Sequence, residues 1–390
     1  MVQEISHLRR FRLGARAMSD TFRVEEFSDN DFPRALSVEW DDFERRAEQC
    51  FPFTHPAYVS LWWDLLGEST RPFAVIARKD GQLVGYAPFV ETVDPSGLLP
   101  VPVIRFMGNN IGRPGDIWLE DIATVAPHAP IIRAILSRVK AHRLIQRWDL
   151  GYLPPWSPTW EVLAELLSID NRPGPDCSTH VLLELPANWD EYFQSLSPKR
   201  RRKFSRQLRG LQDHGGVRVC LDDKPEIVSR RVEEMIRNHD RWWQGTPREG
   251  WFGGKSVRRF LTAEARLLAS QGRYLTMTLE LDETPIAWVV GVCDGKRFFD
   301  KMTSFDRELA PFSPGITLLI MGFQHLISRG IRHVDLGPGM TEKKLVVGGR
   351  PVAYAHAGGY PSIPEWLRKI ARIRSVRKTI SGLNLLTRSR

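Results

Sequence analysis

Phe312-Ser313-Pro314-Gly315 runs straight into the apolar stretch Ile316-Thr317-Leu318-Leu319-Ile320-Met321. A serine followed by a proline and then an apolar run is a helix start: serine suits the N-cap, and proline suits the first helical position, where no N–H is missed. A glycine just behind the cap lets another group approach the backbone N–H donors exposed there, and a pyrophosphate is the kind of anion such an end holds. The same four residues also read as an ordinary capped helix, and the local sequence leaves both readings open.

Two β-rich runs, 274–281 and 286–293, precede this stretch as a hairpin, and a third follows at 297–303. Beyond the helix a short run at 333–335 leads into Asp335-Leu336-Gly337-Pro338-Gly339 and then Lys343-Lys344. Strands on both sides of a helix predict an α/β unit with a mixed sheet. Upstream of the hairpin, helices are predicted over 197–214, 225–243 and 256–271, with a strand at 180–184.

The first half has the same theme. Helical stretches at 34–50 and 57–66 precede β-rich runs at 73–78 and 83–90, joined by Lys79-Asp80-Gly81-Gln82. Asp-Gly between two such runs is a hairpin signal. Pro130 suits the first position of a further helix reaching residue 142, and Trp148-Asp149-Leu150 closes a strand. The likeness between 73–90 and 274–292 predicts duplication of one fold. Pro154, Pro155, Pro158, Pro173 and Pro175 mark a connection. The expected organisation is therefore a domain over 22–165, a second over 178–362, and a basic segment over 363–390.

With 390 residues the chain is long enough for two cores, and 42% hydrophobic with 26% charged residues is a globular composition. Cys50, Cys177, Cys220 and Cys293 show no metal-ligand or disulfide spacing, which predicts a reducing, cytoplasmic setting and no metal. No stretch reads as a signal peptide or membrane span. The net charge of +9 is uneven: eight Lys/Arg and no acid lie between Trp366 and Arg390, leaving a net of one for the rest, nine less eight. That tail has Trp366, Ile370 and Ile373 on one side among arginines, a basic amphipathic pattern. It suits an anionic membrane surface, a cyclic dinucleotide, or docking on the protein itself.

Residues 189–347 resemble the GNAT-superfamily acetyltransferases of the cellulose-biosynthesis (CelD/BcsL) type. The matching residues include Tyr192, Leu196-Ser197 and the basic helix after them, His239, Arg241-Trp242, Phe252, Asp282 and Pro285-Ile286-Ala287. They continue through Phe305-Asp306, Ser313-Pro314-Gly315, Gly330, Asp335, Gly339 and Lys344. In the first half, His55-Pro56, Asp80-Gly81, Pro88-Phe89 and Arg105-Phe106-Met107-Gly108 follow the same pattern. The chain departs from it at Lys343-Lys344, where the family has a Tyr-Lys pair.

The resemblance implies two tandem GNAT-like domains and attack of an amine on an acetyl-CoA thioester held along a splayed strand pair. The pyrophosphate would lie on Ser313, Pro314, Gly315 and Ile316. Such chemistry needs a proton acceptor and a stabiliser of the developing oxyanion. Asp335 suits the first role, or equally caps its own turn. Lys344 and Lys301 suit the second, or a phosphate of the acceptor. His239, Arg241, Trp242 and Phe305 are expected to line the acceptor cleft, with Trp243 in the core. Seven cations over 199–209, Arg202 among them, suit an anionic partner.

The function expected from this resemblance is N-acylation of an amino sugar or sugar–lipid precursor in bacterial extracellular polysaccharide synthesis, at the inner face of the membrane. Two further readings stand beside it. One is a transferase of the Fem type, also similar in its tandem domains, which takes an aminoacyl group from tRNA. The other is a catalytically inactive regulator of a polysaccharide synthesis complex.

Overall fold

The computed structural model describes residues 22–361 except 29–31, 49–50, 69, 95–100, 109–121, 126–127, 145, 155, 168–176, 247–251 and 253. The basic tail and its expected partners lie outside the described residues. The first half contains β1 (Arg23–Phe27), α1 (Phe32–Arg46), α2 (Pro56–Leu66), β2 (Arg71–Lys79), β3 (Gln82–Asp94), β4 (Val101–Phe106), β5 (Ala123–Thr124), α3 (His128–His142), β6 (Arg147–Leu153) and α4 (Pro158–Leu167). The second contains β7 (Cys177–Glu184), α5 (Trp189–Ser195), α6 (Pro198–Gln212), β8 (Val217–Asp222), α7 (Pro225–Trp243), α8 (Lys255–Ser270), β9 (Tyr274–Leu281), β10 (Thr284–Asp294) and β11 (Arg297–Phe305). A 3₁₀ turn at Arg307–Phe312 then leads to α9 (Pro314–Ser328), β12 (His333–Pro338), α10 (Glu342–Val346) and β13 (Arg350–Gly359).

Both Asp turns make the expected hairpins. Asp80 and Gly81 have φ of 51° and 82°, and Asp282 and Glu283 have φ of 47° and 65°, the paired left-handed geometry of a tight hairpin. The α3 helix starts two residues earlier than expected, so Pro130 is its third residue rather than its first.

The strands form one sheet in the order β1-β2-β3-β4-β6-β13-β7-β12-β11-β10-β9-β8. Its two wings repeat one design: β2-β3-β4-α3-β6 on one side and β9-β10-β11-α9-β12 on the other. In each, the third strand and the strand after the helix pair in parallel, β4 with β6 and β11 with β12. Between the wings the strands cross over. β13, from the end of the chain, pairs with β6 of the first wing, and β7 pairs with β12 of the second. The chain therefore does not divide into two separate sheets at the proline-rich connection.

Helices cover both faces. On one, α1 and α2 meet α7 and α8 in a shared core. Tyr58 packs edge-on to Phe260 at 5.8 Å and Phe53 to Phe299 at 6.3 Å, joining the halves. Each fully buried ring of this size contributes about 1.5–3 kcal/mol. The other face carries α3 and α4 over the first wing and α5, α6 and α9 over the second.

Candidate active site

Parallel pairing of β11 with β12 covers Arg297–Phe299 against His333–Asp335 and then stops. Past Phe299 and Asp335 the strands part and leave backbone edges open to a linear ligand. A bulge in β11 marks the same place: Gly291 pairs with Asp300 and Val290 with Met302, so Lys301 is left over. Bulges re-aim backbone groups and recur beside active sites.

The start of α9 stands beside the far end of β11. A Cβ built on Gly315 would lie 3.5 Å from Phe305 and 3.6 Å from Thr303, ordinary contacts. The cap is not the expected one. Ser313 has φ 49° and ψ 55° and makes no side-chain cap; its Oγ accepts from Gln207 Nε2 at 2.7 Å. The N–H groups of Ile316 and Thr317 both close on the Ser313 carbonyl at 3.0 Å, and Pro314 has none. Gly315 therefore supplies the first-turn N–H that no described bond takes up, while Ser313 and Ile316 shape the turn. A serine held in the left-handed region costs about 1–2 kcal/mol, the sort of strain found at ligand clamps.

Gln207 belongs to the basic helix α6, and Gly210 one turn on lets Phe312 pack closely, since a Cβ there would fall 2.5 Å from its ring. The sequence thus brings a cationic helix against the α9 start, Arg206 and Arg209 being immediate neighbours of these contacts. Lys199, Arg202, Arg206 and Arg209 are all exposed. Their spacing of three, four and three residues lines them along one side of α6.

Asp335 is 5% exposed. Its Oδ1 accepts from Gly337 N at 2.7 Å and its Oδ2 from the Tyr354 hydroxyl at 3.0 Å. His180 stacks on Tyr354 with ring centroids 3.8 Å apart, its Nδ1 3.5 Å from Asp335. Of the two readings left open for Asp335, this geometry matches the turn: the carboxylate holds Gly337 at φ 76° and anchors β13. Lys344 serves the same loop, donating to the carbonyls of Gly337 at 3.0 Å and Pro338 at 2.6 Å. Burial pushes its pKa down.

The expected role of Lys301 is not met. Its ammonium is fully buried against Glu264 of α8, and neither side chain reaches solvent. Leaving a lysine charge in that core without a carboxylate would be prohibitive, so the pair exists to neutralise itself. His239 corrects likewise: it is 6% exposed and packs edge-on to Phe252 at 4.6 Å and near Trp243 at 5.8 Å, within the core. Arg241 is exposed, lies 4.5 Å over the Trp242 ring and 3.8 Å from Glu308. Trp242 is tied through Asn238 to Phe305, since Asn238 accepts from its indole at 3.1 Å and donates to the Phe305 carbonyl at 3.1 Å. Arg241, Trp242 and Phe305 thus gather at the outer end of β11. Arg202 is on the opposite face of the sheet, so the expected acceptor set is not one site.

Asp300 is the residue that the sequence did not single out. It follows Phe299 directly, at the mouth of the opening, with Thr303 Oγ1 3.3 Å from its Oδ1. Burial raises its pKa, against the pull of Lys343 and Lys344, and burial lowers that of Lys343. A carboxylate and an amine each pushed toward neutrality beside a cleft are suited to proton transfer. In the first wing the parallel pairing of β4 with β6 also stops, past Ile104 and Trp148, but there a side chain spans the gap. There Arg105 grips Asp149 through Nε at 3.0 Å and Nη2 at 2.9 Å, and His356 Nε2 lies 3.1 Å from the other oxygen.

Among the described residues no cluster of three or more His, Cys, Asp or Glu is placed to hold a metal, and no helix is long and apolar enough to cross a membrane. Residues 198–345 match the acetyltransferase (GNAT) domain family. No curated protein sequence matches the chain. Among solved structures, FemX is similar over 88% of this chain and 98% of its own, with 12% identity and a TM-score of 0.53. A tandem GNAT protein from the clavulanic acid biosynthesis pathway covers 87% and 99%, with 13% identity and a TM-score of 0.43. The fold is thus the mixed α/β arrangement that FemX shares, and within the second half residues 198–345 match an acetyltransferase (GNAT) domain.

Proposed function

We propose that this chain, with its GNAT acyltransferase domain, is an N-acyltransferase that holds acyl-CoA in the opening between β11 and β12 and passes the acyl group to the amine of an amino sugar or sugar–lipid precursor. The parting of the two strands past Phe299 and Asp335, with the α9 start beside the outer end of β11, is the observation that carries it. The donor supplies an activated thioester carbonyl. The chain's part is positional and electrostatic. Gly315 N–H faces the phosphates, with Arg206 and Arg209 of α6 adding charge at that end. The freed edges of β11 and β12 take the linear arm. Asp300 accepts the proton that the attacking amine loses as the new C–N bond forms and the C–S bond breaks. Lys343 supplies its counter-charge, while Lys344 and Asp335 hold the Gly337–Gly339 turn rigid. The polysaccharide setting, and attachment at the inner face of the membrane, rest on the resemblance of residues 189–347 alone.

One observation favours a second reading. The exposed stripe Lys199, Arg202, Arg206 and Arg209 has no carboxylate partner among the described residues, and it suits a polyanionic donor such as the aminoacyl-tRNA used by Fem-type transferases.

Calorimetric titration of acetyl-CoA into wild type, Gly315→Ala and Gly315→Trp tests the main reading. Saturable binding by the first two, lost in the third, is the expected result, since the methyl group fits and an indole does not. If wild type binds no acetyl-CoA but binds tRNA with an affinity that falls steeply as salt rises, the second reading replaces it.

A further inference from the structure

A cleft of about 400 Å³ lies at the paired end of the donor strands, between the end of α1 and the first residues of β9, β11 and β12. We infer that this cleft is the acceptor site, and that it takes a small amine bearing an oxyanion, either phosphate or carboxylate. The inference rests on the acyl-transfer reading above and names its acceptor class.

Position argues first. The donor's phosphates belong at Gly315, beside Thr303 and Phe305, so its reactive end lies toward the point where β11 and β12 meet. Arg297 and His333, which line the cleft, are two residues back from Phe299 and Asp335, about 7 Å along a strand. Side chains two apart share a face, so all four project to the same side of the sheet. That side holds Phe299 and Tyr354 in its core, whereas α9 packs on the other. The cleft thus lies on the face opposite α9, with the buried Phe299 and Tyr354 between it and the junction. Phe305, where Arg241 and Trp242 gather, is six residues beyond the junction, about 20 Å away. A small amine bound there would not reach the thioester.

The cleft wall is also continuous with the junction. Trp156, which lines it, packs edge-on against Tyr354 at 5.7 Å, and the Tyr354 hydroxyl is the one that holds Asp335.

Charge argues for the oxyanion. The Arg297 guanidinium lies 5.1 Å over the Trp156 ring and 5.8 Å over that of Phe299. Rings against its face leave the N–H edge for a planar or tetrahedral oxyanion. Neither Arg297 nor Lys296 has an ion-pair partner among the described residues, whereas Arg273 is engaged by Glu44 at 2.7 Å. Asp294, also in the lining, is available to the amine of the same ligand; burial raises its pKa, against the pull of Arg297 and Arg273.

The test is direct binding by calorimetry, with glucosamine 6-phosphate and serine as probes for the phosphate and carboxylate versions and glucosamine as the control lacking an oxyanion. One of the two probes should bind wild type, glucosamine should bind at least about tenfold more weakly, and Arg297→Ala should weaken the probe by about tenfold or more with acetyl-CoA affinity unchanged. Lys296→Glu and Trp156→Leu, at exposed positions, give the same readout should Arg297→Ala not fold. Binding of neither probe by a protein that binds acetyl-CoA overturns the inference, as does binding that all three variants leave intact. Loss of acetyl-CoA binding alone, with probe binding retained, would remove the acyl-transfer reading instead.

Discussion

Asp149 and Asp335 stand at the same place in two copies of one Asp-Leu-Gly turn, with Gly151 at φ 79° and Gly337 at φ 76°, yet only Asp149 is gripped by an arginine. Each aspartate also meets a histidine on the strand that crosses over, His356 on β13 for Asp149 and His180 on β7 for Asp335. The two wings are thus copies whose openings have diverged. Arg105 bridges the first, while Asp300 stands at the mouth of the second.

Donor stoichiometry follows from that difference. Calorimetry should give one acetyl-CoA per chain, and Arg105→Ala should leave that number unchanged, because the first wing retains His356 on Asp149. Two sites in the wild type would contradict the assignment of the second wing alone.

Asp300→Asn should lower kcat about 10²- to 10⁴-fold with acetyl-CoA affinity and thermal stability kept, since the amide avoids the cost of a buried charge. The raised pKa of Asp300 sets the sign of the pH profile: the working form is the ionised one, so activity rises with pH through a limb above the usual carboxylate range. A profile with that limb intact in Asp300→Asn would assign the limb to another group.

Lys301→Met should destabilise by about 3–5 kcal/mol in denaturant titrations, because Glu264 is then buried without a partner. Adding Glu264→Leu should restore most of that loss. Near-normal kcat in the double variant would confirm that the pair is structural.

Asp149 is held down to about 2, first by its hydrogen bond with His356 and then by Arg105. A depressed carboxylate stabilises the fold above its unfolded pKa and loses that contribution as pH falls through the folded one, here between about pH 4 and 2. The amount is about 2 kcal/mol. The stability gap between wild type and Asp149→Asn, measured by urea unfolding, should therefore shrink across that window.

Much of the fold was legible in the residues. Asp80-Gly81 and Asp282 announced their hairpins through local φ preference, and Pro314 with the apolar run behind it announced α9, because both depend on neighbours a few positions apart. The mixed sheet and the duplicated wings followed from that order. The crossing of β7 and β13 was not legible: Arg350–Gly359 reads as a strand for any sheet edge, and its partners in β6 and β7 lie between 168 and 211 residues away. Ser313 looked like a capping serine, but Gln207, 106 residues earlier, takes its hydroxyl.

The sequence by itself determined the turn, strand and helix chemistry and the kind of fold they build, since each is set by short-range sterics and hydrogen bonding. Only the tertiary structure decided which charged residues are available for chemistry. Lys301 and Asp300 are chain neighbours, and nothing local distinguishes them. Glu264, brought in on α8, neutralises Lys301 in the core, while the parting of β11 from β12 leaves Asp300 at the opening. Burial and pairing are long-range properties of the packed chain, and they assign the roles.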